Sequence, residues 1–165
     1  MKLDILAFGA HPDDVELSCS GTIINEIRKG KKAGIVDLTR GELGTRGTAA
    51  IRDMEAANAT TIMGLSVREN LYMADGFFEL SQANKLEVVK MIRKYRPEVV
   101  FANAFDDRHP DHGRGSKLVS DACFLAGLVK VETHLNDEPQ KAWRPKVVYH
   151  YIQDRYFKLD FIVDI

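Results

Sequence analysis

LDILAFGAHPDDVELSCSGTI, residues Leu3 to Ile23, is the stretch whose reading decides the fold. Leu3–Phe8 is apolar apart from Asp4, the pattern of a buried strand. From Val15 to Lys29 (VELSCSGTIINEIRK) apolar residues recur at helical spacing, and Gly30 is placed to end the helix. A strand, a tight turn and a helix make the first half of a βαβ unit. The turn itself is unusual. His11, Asp13, Asp14 and Glu16 fall within six residues, and carboxylates packed this densely repel one another. An ordinary helix start accounts for part of the pattern, with Asp13 or Asp14 as N-cap and Glu16 favoured by the helix dipole. A bound cation would account for all of it.

The pattern repeats along the chain. Strands are predicted at Ala33–Leu38, Arg68–Met73, Glu98–Ala104 and Lys146–Ile152. Helices are predicted at Ala49–Met63, closed by Gly64, from a Ser81 cap through Tyr95, and over Gly115–Val129. Thr39–Thr48 reads as a Gly-rich loop, Asp106–Arg114 as a polar loop and Pro139–Pro145 as a connector. Alternation of this kind predicts an α/β fold, a Rossmann-like, mostly parallel sheet flanked by helices, with strand order beginning 3-2-1-4. No repeat, low-complexity tract or linker interrupts residues 1–165, so one domain is expected. Phe161–Ile165 (FIVDI) reads as a further strand without a following cap. On this reading the natural chain continues, and the C-terminal part of the fold is missing.

Composition removes several function classes. Of 165 residues 45% are hydrophobic and the formal net charge is −1, so neither nucleic acid nor an anionic membrane surface is expected as a partner. No apolar run approaches the length of a membrane span, and the N-terminus lacks the layout of a signal peptide, which predicts a cytoplasmic protein. Cys19 and Cys123, only two and both in helical patterns, read as reduced, half-buried thiols.

A second motif, His109-Pro110-Asp111-His112, follows the predicted fourth strand. In a 3-2-1-4 sheet strands 1 and 4 are neighbours whose connections leave in opposite directions, and a crevice opens past their carboxyl ends. Both motifs therefore meet there. His11 and Asp14, three apart, can turn to one point at the helix start, and His112 can add a third ligand. Two histidines and a carboxylate suit Zn2+ with room for water, and suit Fe2+ as a facial triad. A divalent cation lowers the pKa of bound water towards 7, and Asp13, beside the ligand Asp14, is the candidate general base. His109 is placed to stabilise an oxyanion as an imidazolium, with Asp111 to orient it.

Other polar residues have plainer readings. His134 lies in a polar connector, and His150 reads as a satisfied strand histidine with access to the crevice. The Gly41–Thr48 loop could cradle an anion through backbone N–H groups, although it lacks a GxxxxGK[ST] pattern. Arg40, Arg46 and Arg52 surround that loop, and Arg108 and Arg114 flank the second motif. These are candidates for binding a substrate carboxylate or phosphate.

AFGAHPDDVELSCSGTI, GIVDLTRGELGTRGT, IRDMEAANA and DRHPDHGRGSKLV together resemble the LmbE-like, or PIG-L, N-acetylglucosamine deacetylases. Within that family the chain looks most like the branch that deacetylates N-acetylglucosaminyl malate in bacillithiol synthesis. The resemblance implies His11, Asp14 and His112 as zinc ligands, Fe2+ serving some members. It implies Asp13 as general base, His109 as the residue that stabilises the oxyanion or protonates the amine, and Arg52 as a substrate contact. It further implies a small-molecule N-acetylglucosaminide substrate, a homo-oligomer, often a trimer or hexamer, and relatives that run well past the equivalent of Ile165. The expected activity is metal-dependent hydrolysis of an N-acetyl group. A non-haem Fe(II) oxygenase and a non-enzymatic sugar- or metal-binding domain are the alternatives. The jelly-roll scaffold usual for the oxygenase fits poorly with alternating strands and helices.

Overall fold

The N-terminal apolar run becomes β1 (Ile5–Gly9), every residue of it buried. In the computed structural model, which describes all residues from Met1 to Ile165, it lies at the centre of the sheet. The chain continues through α1 (Asp14–Arg28), β2 (Ala33–Asp37), α2 (Ala49–Met63), β3 (Val67–Asn70), α3 (Gln82–Tyr95), β4 (Val99–Ala102) and α4 (Pro110–Ala126). A small hairpin, β5 (His134–Leu135) and β6 (Glu138–Pro139), precedes β7 (Val147–His150). The main sheet runs β3-β2-β1-β4-β7. All four of its pairings are parallel. The expected 3-2-1-4 order and α/β class are what the structure has.

Period-two alternation along β1 builds two cores. Leu6 and Phe8 point to one face, with Val88 and Ile92 of α3 and Leu118 and Ala122 of α4. Ile5 and Ala7 point to the other, with Val15 and Ile23 of α1 and Met63 of α2. Phe8 is fully buried, and truncating a side chain of that size in a core costs roughly 3–5 kcal/mol.

Ser81 and Gly64 fall where the sequence placed them, and Thr48 adds a cap the sequence reading did not name. Thr48 and Ser81 accept N-terminal amides of α2 and α3, and Gly64 closes α2 in the left-handed conformation at φ 71°. Three expectations are corrected. First, α4 begins at Pro110, not Gly115, so the second motif lies on its first turn with His109 as N-cap. Pro110 is preorganised for that first position. Gly113 lets the helix close on β4's exit loop, where a Cβ would lie 2.9 Å from the Phe105 carbonyl oxygen. Second, the stretch around His134 is a hairpin, turned by Asn136 and Asp137 at φ 51° and 65°. Third, Phe161–Ile165 pairs with nothing and is not a strand. Its Ile165 side chain instead rests on Gly21 of α1. No helix is long and apolar enough to cross a membrane, and both cysteines are free and buried.

Candidate metal centre and active site

α1 and α4 leave the carboxyl ends of the neighbouring strands β1 and β4 towards opposite faces of the sheet. A cleft of about 520 Å³ opens at that point, lined by His11, Asp13, Asp14, Arg52, His109 and His112 among others. It is the switch-point crevice expected of this topology. The imidazoles of His11, His109 and His112 crowd together, their ring centres 4.6 to 5.5 Å apart.

Asp14 sits between two of them. Its Oδ2 lies 3.6 Å from His11 Nδ1, and its Oδ1 lies 3.1 Å from His112 Nε2. The far nitrogen of each imidazole faces further carboxylates. His11 Nε2 meets Asp75 Oδ1 at 3.0 Å and Asp111 Oδ2 at 3.3 Å. His112 Nδ1 lies 3.0 Å from Asp107 Oδ1, yet out of hydrogen-bonding alignment, and it is buried without a partner. Imidazoles backed by carboxylates in this way are the usual outer support of a metal site, fixing tautomer and basicity.

Two trios of donor atoms lie within 4.8 Å of one another: His11, His109 and His112, and His11, Asp75 and Asp111. The second trio is already engaged. Asp111 accepts the Gly76 N–H at 2.7 Å and Arg114 Nη1 at 2.6 Å, and Asp75 accepts the Leu43 N–H at 2.8 Å. The donors left facing the cleft are His11 Nδ1, Asp14 and His112 Nε2, with His109 beside them. This nitrogen-rich set with one carboxylate fits a zinc-like cation. The electrostatics agree. Burial pulls the His11 pKa down, but Asp14, Asp75 and Asp111 outweigh it and raise it to about 9. Burial pushes the Asp14 carboxyl up, and His11 and His112 overcome this and hold it well below the ordinary range.

Asp13 occupies the N-cap position of α1 but makes no capping hydrogen bond. Its half-exposed carboxylate turns to the cleft and accepts from Arg52 Nη2 at 3.1 Å. Burial, then the Asp14 charge, raises its pKa. The helix-cap explanation of this acid therefore fails. Gly41, at φ 63°, makes room for Arg52; a Cβ there would meet the guanidinium at 2.7 Å. The Gly-rich loop thus accommodates an arginine.

His109 Nδ1 accepts the Asp111 backbone N–H at 3.3 Å, which puts the ring proton on Nε2. Burial, then the neighbouring His11 and His112, lowers its pKa. The expected imidazolium is accordingly a neutral ring with one N–H. The expected role of Asp111 also changes, since its carboxylate supports His11 and only its backbone touches His109. Arg108 stands at the rim, largely exposed, 3.4 Å from Asp154. Arg40 pairs with Asp53 and Arg114 with Asp111, which removes both from the free cations flanking the cleft. His150 binds the Asn103 carbonyl at 2.7 Å, as a satisfied strand histidine should. Asp75, Asn103, Asp107 and Gln153 escaped sequence reasoning. The Asp75-Gly76 pair signals a turn, but nothing local marks it as support for His11.

The family described as PIG-L, GlcNAc-PI de-N-acetylase, matches residues 6–123. The chain belongs to that family. An uncharacterized deacetylase, YaiS, of Escherichia coli K12 is 29% identical over 93% of this chain and 84% of its own length. The diacetylchitobiose deacetylase of Thermococcus kodakarensis is 28% identical over 75% of this chain and 50% of its own. Among solved structures, the conserved protein TT1542 of Thermus thermophilus superposes with a TM-score of 0.89 at 39% identity, over 96% of this chain and 70% of that one. The 4-carboxy-2-hydroxymuconate hydratase GalB of Pseudomonas putida KT2440 shares the fold at a TM-score of 0.76 and 24% identity, over 91% of this chain and 65% of that one. A hydratase on the PIG-L scaffold means that the site must carry the functional argument.

Proposed function

We propose that the chain is a metal-dependent N-deacetylase acting on an N-acetylglucosamine conjugate, with N-acetylglucosaminyl malate the first substrate to try. Family membership and the deacetylase relatives support the reaction class. The observation that carries it is Asp13: an acid at a helix N-cap that caps nothing and faces the cleft beside His11, Asp14 and His112.

His11, Asp14 and His112 would hold the ion, zinc by the nature of the donors. A divalent cation in such a place polarises a carbonyl and acidifies water. The chain's own groups do the rest. Asp13, with its raised pKa, takes a proton from the attacking water, and Arg52 holds its carboxylate in position. The neutral His109 ring donates its Nε2 proton as a hydrogen bond to the acetyl oxygen as charge develops there. The water oxygen bonds to the acetyl carbon and the carbon–nitrogen bond breaks. Asp13 returns its proton to the departing amine, leaving acetate and a free glucosamine conjugate. A neutral His109 has no spare proton to give, so both transfers fall to Asp13.

Acetate and free-amine release from a panel of N-acetylglucosaminides by the zinc-loaded protein tests the proposal. Release from at least one conjugate, lost in Asp13→Asn with the zinc retained, is the expected result. Undiminished release by that variant, or a fully loaded protein that releases nothing from any conjugate, overturns it.

A further inference from the structure

Resting on that reading of the site, we propose that Asn103 and Gln153 are positioning residues: their side-chain amides clamp the Asp14 carboxylate so that Oδ1 is the oxygen presented to the ion. Oδ2 is fully subscribed. It accepts the His11 backbone N–H at 3.0 Å and Asn103 Nδ2 at 2.9 Å. Oδ1 accepts a single protein amide, Gln153 Nε2 at 3.0 Å. Its other side faces His112 Nε2 at 3.1 Å and no fixed amide, so Oδ1 is the oxygen that an ion taking the place of that ring proton would meet.

Neither amide can turn over. Asn103 Oδ1 accepts the Ala10 N–H at 3.0 Å, and its Nδ2 also donates to Gln153 Oε1 at 3.0 Å. Flipping Asn103 would set an N–H2 against an N–H, and an oxygen against two oxygens. Asn103 is only 1% exposed, and its own carbonyl accepts from His150. With Oε1 committed to Asn103, the Nε2 of Gln153 has to face Asp14. The two residues come from separate elements, one at the end of β4, the other in the segment after β7. Tyr151 and Asp154 tie down that segment through the Phe8 carbonyl at 2.8 Å and Asp107 Oδ2 at 3.3 Å. Amides suit the task because they orient a carboxylate without adding positive charge. A lysine or arginine here would compete with the cation.

The test is zinc affinity by chelator competition, with the visible absorption of the cobalt-substituted protein reporting ligand geometry. Gln153→Met keeps the side chain's shape and removes the donor, and Gln153→Asn withdraws the donor by one methylene. Both should weaken zinc at least about tenfold, the usual effect of losing an outer support, and both should alter the cobalt spectrum. Tyr151→Phe removes one tether of the same segment while Gln153 keeps its own bonds to Asn103 and Asp14, so it should weaken zinc by clearly less than either Gln153 variant. Parent-like affinity and spectrum in the two Gln153 variants overturn the clamp, as does an equal loss in Tyr151→Phe. A parent protein that binds no zinc overturns the metal site and the clamp together. A clamp verified in a protein that releases no acetate fails only the deacetylase reading.

Discussion

Two buried polar clusters of this molecule solve the same problem in opposite ways. Arg93, buried under the C-terminal end of α4, has no carboxylate near it. Its guanidinium donates to the carbonyls of Ala126, Leu128 and Val131 and to Thr133 Oγ1, at 2.6 to 3.1 Å. Several of these carbonyls lie at the negative end of the α4 dipole, which supports the charge. That cluster closes on itself. At the β1/β4 crevice Asp14, Asp75, Asp107 and Asp111 are all buried around His11 and His112, four carboxylates against two imidazoles and the Arg114 guanidinium, so negative charge is left in excess. A structural cluster satisfies its own charges, whereas a binding site leaves a deficit that a ligand completes.

The comparison breaks most directly at Asp13. Asp13→Asn should lower turnover roughly 10³-fold, within the range for losing a general base, while the urea midpoint and zinc content stay unchanged. A large loss of stability would put Asp13 with the structural acids instead. Arg93→Met, read by urea denaturation, should do the reverse. It leaves buried carbonyls unpaired, so we expect a loss of roughly 3 kcal/mol with zinc affinity intact.

Proton linkage sharpens the contrast at smaller scale. His11 has its folded pKa raised from 6.5 to about 9. In the metal-free protein its stabilising contribution is complete below pH 6.5 and disappears as pH rises through about 9. The thermal midpoint of the metal-free form should therefore fall across that window. Zinc must displace the His11 proton, so its affinity should climb over the same window, with at least one proton released per ion near neutrality. Calorimetry in two buffers of different ionisation enthalpy measures that proton, and a pH-independent affinity would contradict the account. The least effect is expected at the thiols. Burial pushes both Cys19 and Cys123 up to about 12, so a disulfide reagent at pH 8 should label the native protein negligibly and label both sites on unfolding.

Much of the catalytic constellation was legible along the chain because its members cluster in two short motifs. His11, Asp13 and Asp14 share one turn, and His109, Asp111 and His112 share another. The supporting residues were not. Asp75, Asn103 and Gln153 are single polar residues in three separate loops, and polar loop residues are ordinary. Their meaning comes from convergence on His11 and Asp14. Phe161–Ile165 misled for the complementary reason. Its apolar, β-branched composition favours a strand, but a strand exists only where a neighbouring edge accepts its hydrogen bonds.

Alternating periodicity by itself determined the parallel α/β sheet and its central strand order, because burying one face of each helix on both faces of a sheet leaves few arrangements. It also determined that two histidine-carboxylate turns meet past the ends of β1 and β4. Only the tertiary structure decided which oxygen of Asp14 faces His112, that the Asp111 carboxylate serves His11 rather than His109, and that Asp13 caps nothing. Those are matters of side-chain direction, set by hydrogen bonds between segments up to 139 residues apart, and no local pattern encodes them.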